Sequence, residues 1–239
     1  MTSRGMLLPR IHTALSSVVL LGRLIQTPST LSEWGVHTKS WESAKARTRD
    51  LGLGLKGFDW VRRTDKFKAT ILYAICRQLR PSQVVETGVA SGTSAVGILA
   101  ALRDNDYGHL YSIDLPGASY TRDDGIPWVD PLDGRPTGWR VPPDLRGRWS
   151  LALGPSRKLL EETLLKLGSI DLFYHDSEHT EVNMDFEIRS AWAALRSGGI
   201  LLVDNIDWSA SFSKFIESHP AKTGILFPHL GLIQRAISP

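Results

Sequence analysis

The strongest constraint on this chain is a rhythm: a short apolar run, a turn and an amphipathic stretch follow one another repeatedly. Phe67, Ile71, Leu72, Ile75 and Leu79 recur at helical spacing, and Pro81 ends that helix. Gln83 to Glu86 reads as a short buried strand, a helix follows from about Ser94 to Leu102, and Leu110 to Asp114 reads as a second strand. Strand, helix, strand at this spacing is a βαβ unit, whose crossover makes its two strands parallel. The unit recurs. Trp149 to Leu153 is strand-like. Ser156 is placed to cap a helix carrying Leu159, Leu160, Leu164 and Leu167, which Gly168 closes. Ile170 to Asp176 is a fourth strand, and a helix from about Glu181 to Leu195 puts Met184, Ile188, Ala191, Trp192 and Leu195 on one side. Gly198 and Gly199 are expected to stop it before the fifth strand, Ile200 to Val203, which is apolar throughout as a central parallel strand should be.

The tail has a different pattern. Ser211 to Ser218 reads as a helix, and Gly224 to Phe227 and Leu232 to Arg235 as two strands joined by a tight turn. The expected fold class is α/β: a doubly wound, mostly parallel sheet with an antiparallel C-terminal hairpin strand and helices on both faces. Residues 1–60 are expected to form an N-terminal helical arm holding Trp34, Trp41 and Trp60, and residues 61–239 the main domain. Leu115 to Arg148 is too long for an ordinary connection and is rich in Pro, Gly, Asp, Arg and Trp. Two readings of it stay open: a lid facing the substrate, or a surface elaboration that packs Trp128 and Trp139 on the sheet rim.

Bulk properties exclude several classes. A chain of 239 residues fits one domain with an added arm. Its one cysteine, Cys76, rules out an internal disulfide and reads as a small buried hydrophobe. The net charge of +3, with no long Lys/Arg block, argues against a nucleic-acid partner. Arg4 and Arg10 precede the apolar run Ala14 to Leu21, in the order of a signal peptide. Arg23 follows at once, and the run is too short to span a membrane. The favoured reading is an amphipathic helix packed on the domain or on a second copy, in a cytoplasmic protein.

Four constellations carry chemistry. Glu86-Thr87-Gly88-Val89-Ala90-Ser91-Gly92-Thr93-Ser94 runs from a strand through glycines into a helix, whose N-terminus suits a carboxylate. The spacing is not that of the dinucleotide fingerprint. Asp114, at the carboxyl end of the next strand, suits the hydroxyls of a ribose. Asp176 ends the fourth strand, and Asp204-Asn205 ends the fifth. On neighbouring strands their oxygens would share one rim and suit a hard cation such as Mg²⁺; the alternative is that they cap a turn. His179 follows the fourth strand and is a candidate general base for a hydroxyl, whereas His175 reads as a buried structural histidine.

Together, V-V-E-T-G-V-A-S-G-T-S, L-Y-S-I-D, D-L-F-Y-H-D-S-E-H-T and S-G-G-I-L-L-V-D-N resemble class I S-adenosylmethionine-dependent methyltransferases from about Phe67 onward. The resemblance is nearest to small-molecule O-methyltransferases of the macrolide-sugar type, with catechol-type enzymes as relatives. It implies a Rossmann-like seven-stranded sheet. It implies that Glu86, Gly88 and Ser94 surround the methionine part of the cofactor, that Asp114 holds the ribose, that Ser156 touches the adenine edge, and that Gly92 and Leu115 also belong to the cofactor site. It also implies that Asp176, Asp204 and Asn205 hold a divalent cation, that Asp176 borders the cofactor, and that Asp176 and His179 take part in methyl transfer to a small-molecule hydroxyl. Two other outcomes are kept beside it: the same cofactor site used for hydroxylation or binding only, and a nicotinamide-dependent oxidoreductase. The arm with its tryptophans is compatible with a homo-oligomer contact.

Overall fold

The computed structural model describes residues 30–53, 60–129, 132, 134–219, 221–226 and 229–237. The apolar run at 14–21 lies outside them. Fifteen helices and strands are named here: α1 (Thr38–Thr48), α2 (Trp60–Leu79), β1 (Gln83–Thr87), α3 (Thr93–Asn105), β2 (His109–Asp114), β3 (Ser119–Thr121), β4 (Pro127–Val129), β5 (Trp149–Leu153), α4 (Ser156–Leu167), β6 (Ile170–His175), α5 (Glu181–Ala194), β7 (Leu195–Val203), α6 (Ser211–Ser218), β8 (Lys222–Leu226) and β9 (Leu230–Gln234). Seven strands form one sheet in the order β5-β2-β1-β6-β7-β9-β8. The first five are mutually parallel; β9 runs antiparallel to β7, and β8 antiparallel to β9. The order reverses at β1, so the carboxyl ends of β1, β2, β6 and β7 open onto one crevice, where sheets of this kind bind ligands.

The sheet is buried on both faces because successive side chains alternate across it. Val84, Leu110, Leu172, Tyr174 and Leu202 face one core with Ile71, Leu72 and Ile75 of α2 and Ile98 and Leu99 of α3. Val85, Ile113, Phe173, Leu201 and Val203 face the other, with Leu160 of α4, Met184 and Ile188 of α5, and Phe212 and Phe215 of α6. The described part of the arm joins the first core: Leu31, Trp34, Val36 and Trp41 are buried there, and the Trp41 ring meets Phe67 edge-on at 5.6 Å. Cys76 is fully buried, and burial holds its thiol protonated. No helix among the described residues is long and apolar enough to cross a membrane.

Two local expectations are corrected. Gly198 and Gly199 do not stop α5 ahead of a strand; they lie inside β7, which begins at Leu195. Leu195 pairs with Ile170 and Ile200 with Leu172, so the residues between bulge out, and Gly198 takes a φ of 74° to make the bend. Ser156 is the first residue of α4 rather than its cap; Pro155 stands at the N-cap, with no side-chain cap bond.

Residues 115–148 are not a bare loop. They carry the β3–β4 hairpin, with Tyr120 stacked on Trp128 at 5.2 Å, and a 3₁₀ turn at Pro143–Arg148. Trp128 lines the large cavity at the sheet crevice, while Trp139 lies away from it with the guanidinium groups of Arg135 and Arg140 each 4.4 Å from its ring.

Candidate active site

The strand-to-helix turn after β1 is tightly held. Gly88 has φ 81°, and a Cβ there would lie 2.0 Å from the backbone oxygen of Asp176. No other residue fits this close crossing of β1 and β6. Gly92 caps α3 with φ 89° and faces Gly138 of the insertion. The insertion is bonded to the turn as well, with Gly138 N–H donating to the Ala90 oxygen and Arg140 N–H to the Ser91 oxygen.

Glu86 and Gly92 do not reach the cavity. Glu86 is fully buried beneath the turn, accepting from Ser94 Oγ at 2.5 Å and Ser112 Oγ at 2.7 Å. Burial pushes its carboxyl up to about 7 against those two donors. Its part is to hold Ser94, which does line the cavity. Gly88, Asp114, Leu115, Ser156, Asp176, His179, Asp204 and Asn205 all line it as well, around about 550 Å³. That is room for a small-molecule ligand. Asp114 accepts from Val89 N–H at 2.9 Å on one oxygen and from Thr137 Oγ at 2.7 Å on the other. Ala90 N–H also donates to the first oxygen at 3.4 Å, and the roughly four acceptor sites of a carboxylate still leave capacity for a hydroxyl.

Opposite lies the rim formed by the ends of β6 and β7. Tyr174 donates its hydroxyl to Asp176 Oδ2 at 2.9 Å. Lys68, from α2, donates to Asp204 Oδ2 at 2.5 Å with both side chains buried. Asp204 Oδ1 is buried with no hydrogen-bond partner among the described residues. Burial raises both carboxyls; for Asp204 it outweighs Lys68, and Asp176 adds to it, bringing the group to about 6. Burial also works against the charge on Lys68, but Asp204 and then Asp176 outweigh it and hold the ammonium charged.

His179 is the middle of a buried chain. Glu187 Oε2 lies 2.6 Å from His175 Nδ1, His175 Nε2 lies 3.2 Å from His179 Nδ1, and His179 Nε2 lies 3.2 Å from Asn205 Nδ2. When His175 donates to Glu187, its Nε2 accepts from His179 Nδ1–H. The lone pair of His179 Nε2 then points toward Asn205 and the rim. Burial, with the neighbouring His175, lowers His179 to about 3, so it is neutral at ordinary pH. Tyr120 Oη accepts from the His179 backbone N–H, and the Trp208 ring meets the imidazole edge-on at 5.0 Å. Tyr120, Trp128 and Trp208 form the aromatic part of the wall.

The structure brings ligand atoms of Asp176, His179 and Asp204 within 4.8 Å of one another, while the Asn205 amide is turned to His179. The set expected to hold a divalent ion is thus gathered in part, but Lys68 already sits on one of its carboxylates. A divalent ion sharing Asp204 with that ammonium at roughly 4 Å would be repelled by about 8 kcal/mol at an effective dielectric near 20. Lys68 therefore competes with a divalent ion for this rim, offsetting part of the attraction that Asp176 and Asp204 would supply.

The motif reading missed Lys68, Glu187, Tyr120 and Trp208. Two had a signal. Lys68 is in helical phase with Leu72, Ile75 and Leu79, and Glu187 with Met184 and Ala191, so each is a charge on an apolar stripe.

The family described as a methyltransferase domain matches residues 85–206, about half of the chain. No curated protein matches. Among solved structures, the calicheamicin methyltransferase CalS11 is similar at TM-score 0.55 and 16% identity, covering 82% of this chain and 91% of that one. The O-methyltransferase TomG of Streptomyces achromogenes, solved with S-adenosylmethionine, is similar at 0.53 and 12%, covering 90% and 99%. The Podospora anserina methyltransferase PaMTH1, bound to S-adenosylhomocysteine, is similar at 0.50 and 16% over the whole of both chains. At these identities the structures establish a shared Rossmann-like fold, and the sequence match establishes the family. The chain belongs to the methyltransferase domain family.

Proposed function

We propose that this protein is an S-adenosylmethionine-dependent O-methyltransferase that methylates a hydroxyl of a small molecule, with His179 as the general base. The observation that carries this reading is one cavity. It joins the Gly88–Ser94 turn and Asp114 on one side to His179 and the aromatic wall on the other. A cofactor bound along the first side would present its methyl group to an acceptor held by the second. The S-adenosylhomocysteine and S-adenosylmethionine complexes of the similar proteins support the choice of cofactor.

When bound, S-adenosylmethionine supplies an electrophilic methyl group, and its sulfur keeps the electron pair of the broken carbon–sulfur bond. The N-terminus of α3, with Gly88 and Ser94, receives the methionine end through its free N–H groups and positive dipole. Asp114 accepts a ribose hydroxyl, with Leu115 against the sugar, and Ser156 lies at the adenine edge. Tyr120, Trp128 and Trp208 enclose the acceptor and exclude water. Once the acceptor hydroxyl displaces Asn205 Nδ2–H from its lone pair, His179 Nε2 takes the proton of that hydroxyl as the oxygen forms its bond to the methyl carbon. A histidine lowered to about 3 is a weak resting place for that proton. His179 can pass its Nδ1 proton on to His175, whose positive charge then faces Glu187. Asp176 borders both halves of the cavity. The divalent ion implied by the resemblance is left out of this reading, because Lys68 stands in the way.

Calorimetric titration of the purified protein with S-adenosylhomocysteine and NAD, in parallel, tests the cofactor. Binding of S-adenosylhomocysteine alone is expected, and binding of NAD alone refutes the reading. A mass gain of one methyl group on a candidate acceptor, lost in His179→Ala with S-adenosylhomocysteine affinity kept, tests the base.

A further inference from the structure

Lys68 has no part in the reading above, yet it is built into the same cavity. It lies between Phe67 and Ala69, both buried, and its own side chain is 8% exposed. Its ammonium reaches across 136 residues of sequence to Asp204 at 2.5 Å. Burying an ammonium and a carboxylate is costly, and the pair persists only where each satisfies the other. Lys68, Asp176 and Asp204 all line the cavity. The second oxygen of Asp204, Oδ1, is buried with no donor in hydrogen-bond geometry among the described residues, and the Asp176 carboxyl lies close beside Asp204. An orphaned carboxylate oxygen beside a reaction cavity takes either a cation or a donor hydroxyl, since an unmade bond there is expensive.

We propose that the Lys68 ammonium is the resident cation of this rim. It neutralises and orients Asp204, leaves Asp204 Oδ1 to accept a hydroxyl of the methyl acceptor other than the one His179 deprotonates, and excludes a divalent ion. Lys68 is then a positioning residue acting through Asp204. Its place on α2, outside the strand-end motifs, is what separates this rim from one built of carboxylates alone. The assignment of Oδ1 to an acceptor rests on the O-methyltransferase reading; the exclusion of a divalent ion does not.

The test is a titration of the full chain with MnCl₂, with and without S-adenosylhomocysteine, reading free Mn²⁺ by electron paramagnetic resonance. The native protein is expected to leave the signal unchanged up to about 1 mM. Lys68→Met is expected to take up Mn²⁺ at least roughly tenfold more tightly than the native protein, and Lys68→Met with Asp204→Asn to lose that uptake. Lys68→Arg, which keeps the charge, is expected to stay silent. Native protein that binds Mn²⁺ at a site abolished by Asp204→Asn overturns the proposal. So does a folded Lys68→Met that binds no more than the native chain. The native titration decides even if Lys68→Met fails to fold. Calorimetry with S-adenosylhomocysteine on the same samples keeps the two readings apart: absent cofactor binding overturns the methyltransferase assignment and leaves the Mn²⁺ result standing.

Discussion

Replacing Glu187 with glutamine removes one charge from the most enclosed part of the site and keeps its size. Glu187 is fully buried. It accepts from Thr87 Oγ at 2.5 Å, from Ser177 Oγ at 2.7 Å and from Asn183 Nδ2 at 3.0 Å, and its Oε2 lies 2.6 Å from His175 Nδ1. Burial alone would raise its pKa, but His175 and the hydroxyl donors outweigh burial and bring it from 4.5 to about 2. A carboxyl whose folded pKa is depressed stabilises the fold above its unfolded value. That contribution is lost as pH falls through the folded value. The change from 4.5 to about 2 corresponds to roughly 3 kcal/mol. Glu187→Gln is therefore expected to unfold about 3 kcal/mol more easily near pH 7, with the same deficit down to about pH 5 and a shrinking one below about pH 4.5. Urea unfolding followed by tryptophan fluorescence at about pH 7, 5 and 3.5 measures it. A variant as stable as the native protein near neutrality, or an undiminished deficit at the lowest pH, refutes this account of the buried carboxylate.

Glu86→Gln should behave with the opposite sign. Burial raises this carboxyl to about 7, so the native chain loses stability as pH climbs from 4.5 through about 7, and the variant does not. The variant should gain roughly 3 kcal/mol on the native protein between about pH 4.5 and 8 in the same urea experiment; a pH-independent difference counts against it. Gly88→Ala must place a Cβ 2.0 Å from the Asp176 oxygen at a φ of 81°. The left-handed conformation and the clash together should cost about 3 kcal/mol or more, read as a fall in the urea midpoint, and an unchanged midpoint sinks the close-crossing argument. Asp114→Asn should weaken S-adenosylhomocysteine by roughly 10- to 100-fold in calorimetry, the worth of a charged hydrogen bond to a hydroxyl. Native affinity in that variant removes Asp114 from the cofactor site.

The fold was legible because parallel strands between two helical layers must be apolar on both faces. Val84-Val85, Leu172-Phe173 and Leu201-Leu202 each send one residue into each core, and that pattern stands out from any helix. Where legibility failed, the backbone had an option that its sequence does not advertise. In the sequence Gly198 stands where a glycine commonly punctuates helix and strand. Its positive φ instead serves a bulge that lets β7 start five residues earlier, at Leu195. Whether a glycine ends an element or bends it depends on the strand beside it. Ile170 and Leu172 belong to β6, some twenty-five residues earlier in the chain.

The same distinction separates the site residues. Asp114, Asp176, Asp204 and Asn205 were legible because each follows an apolar run, and topology then carries all strand ends to one rim. Lys68 and Glu187 come from helices packed against the sheet, and their partners are residues at strand ends, 136 and 12 positions away. No local motif holds such a pair. What the sequence does hold is a contradiction: a lysine in phase with Leu72 and Ile75, and a glutamate in phase with Met184 and Ala191, each on a stripe that has to be buried. A buried charge must find an opposite one, and the strand-end carboxylates and His175 are the groups the sheet offers at that depth. The phase of a helix can therefore point to a site's hidden members before any contact is known, provided the charge is taken as seriously as the stripe.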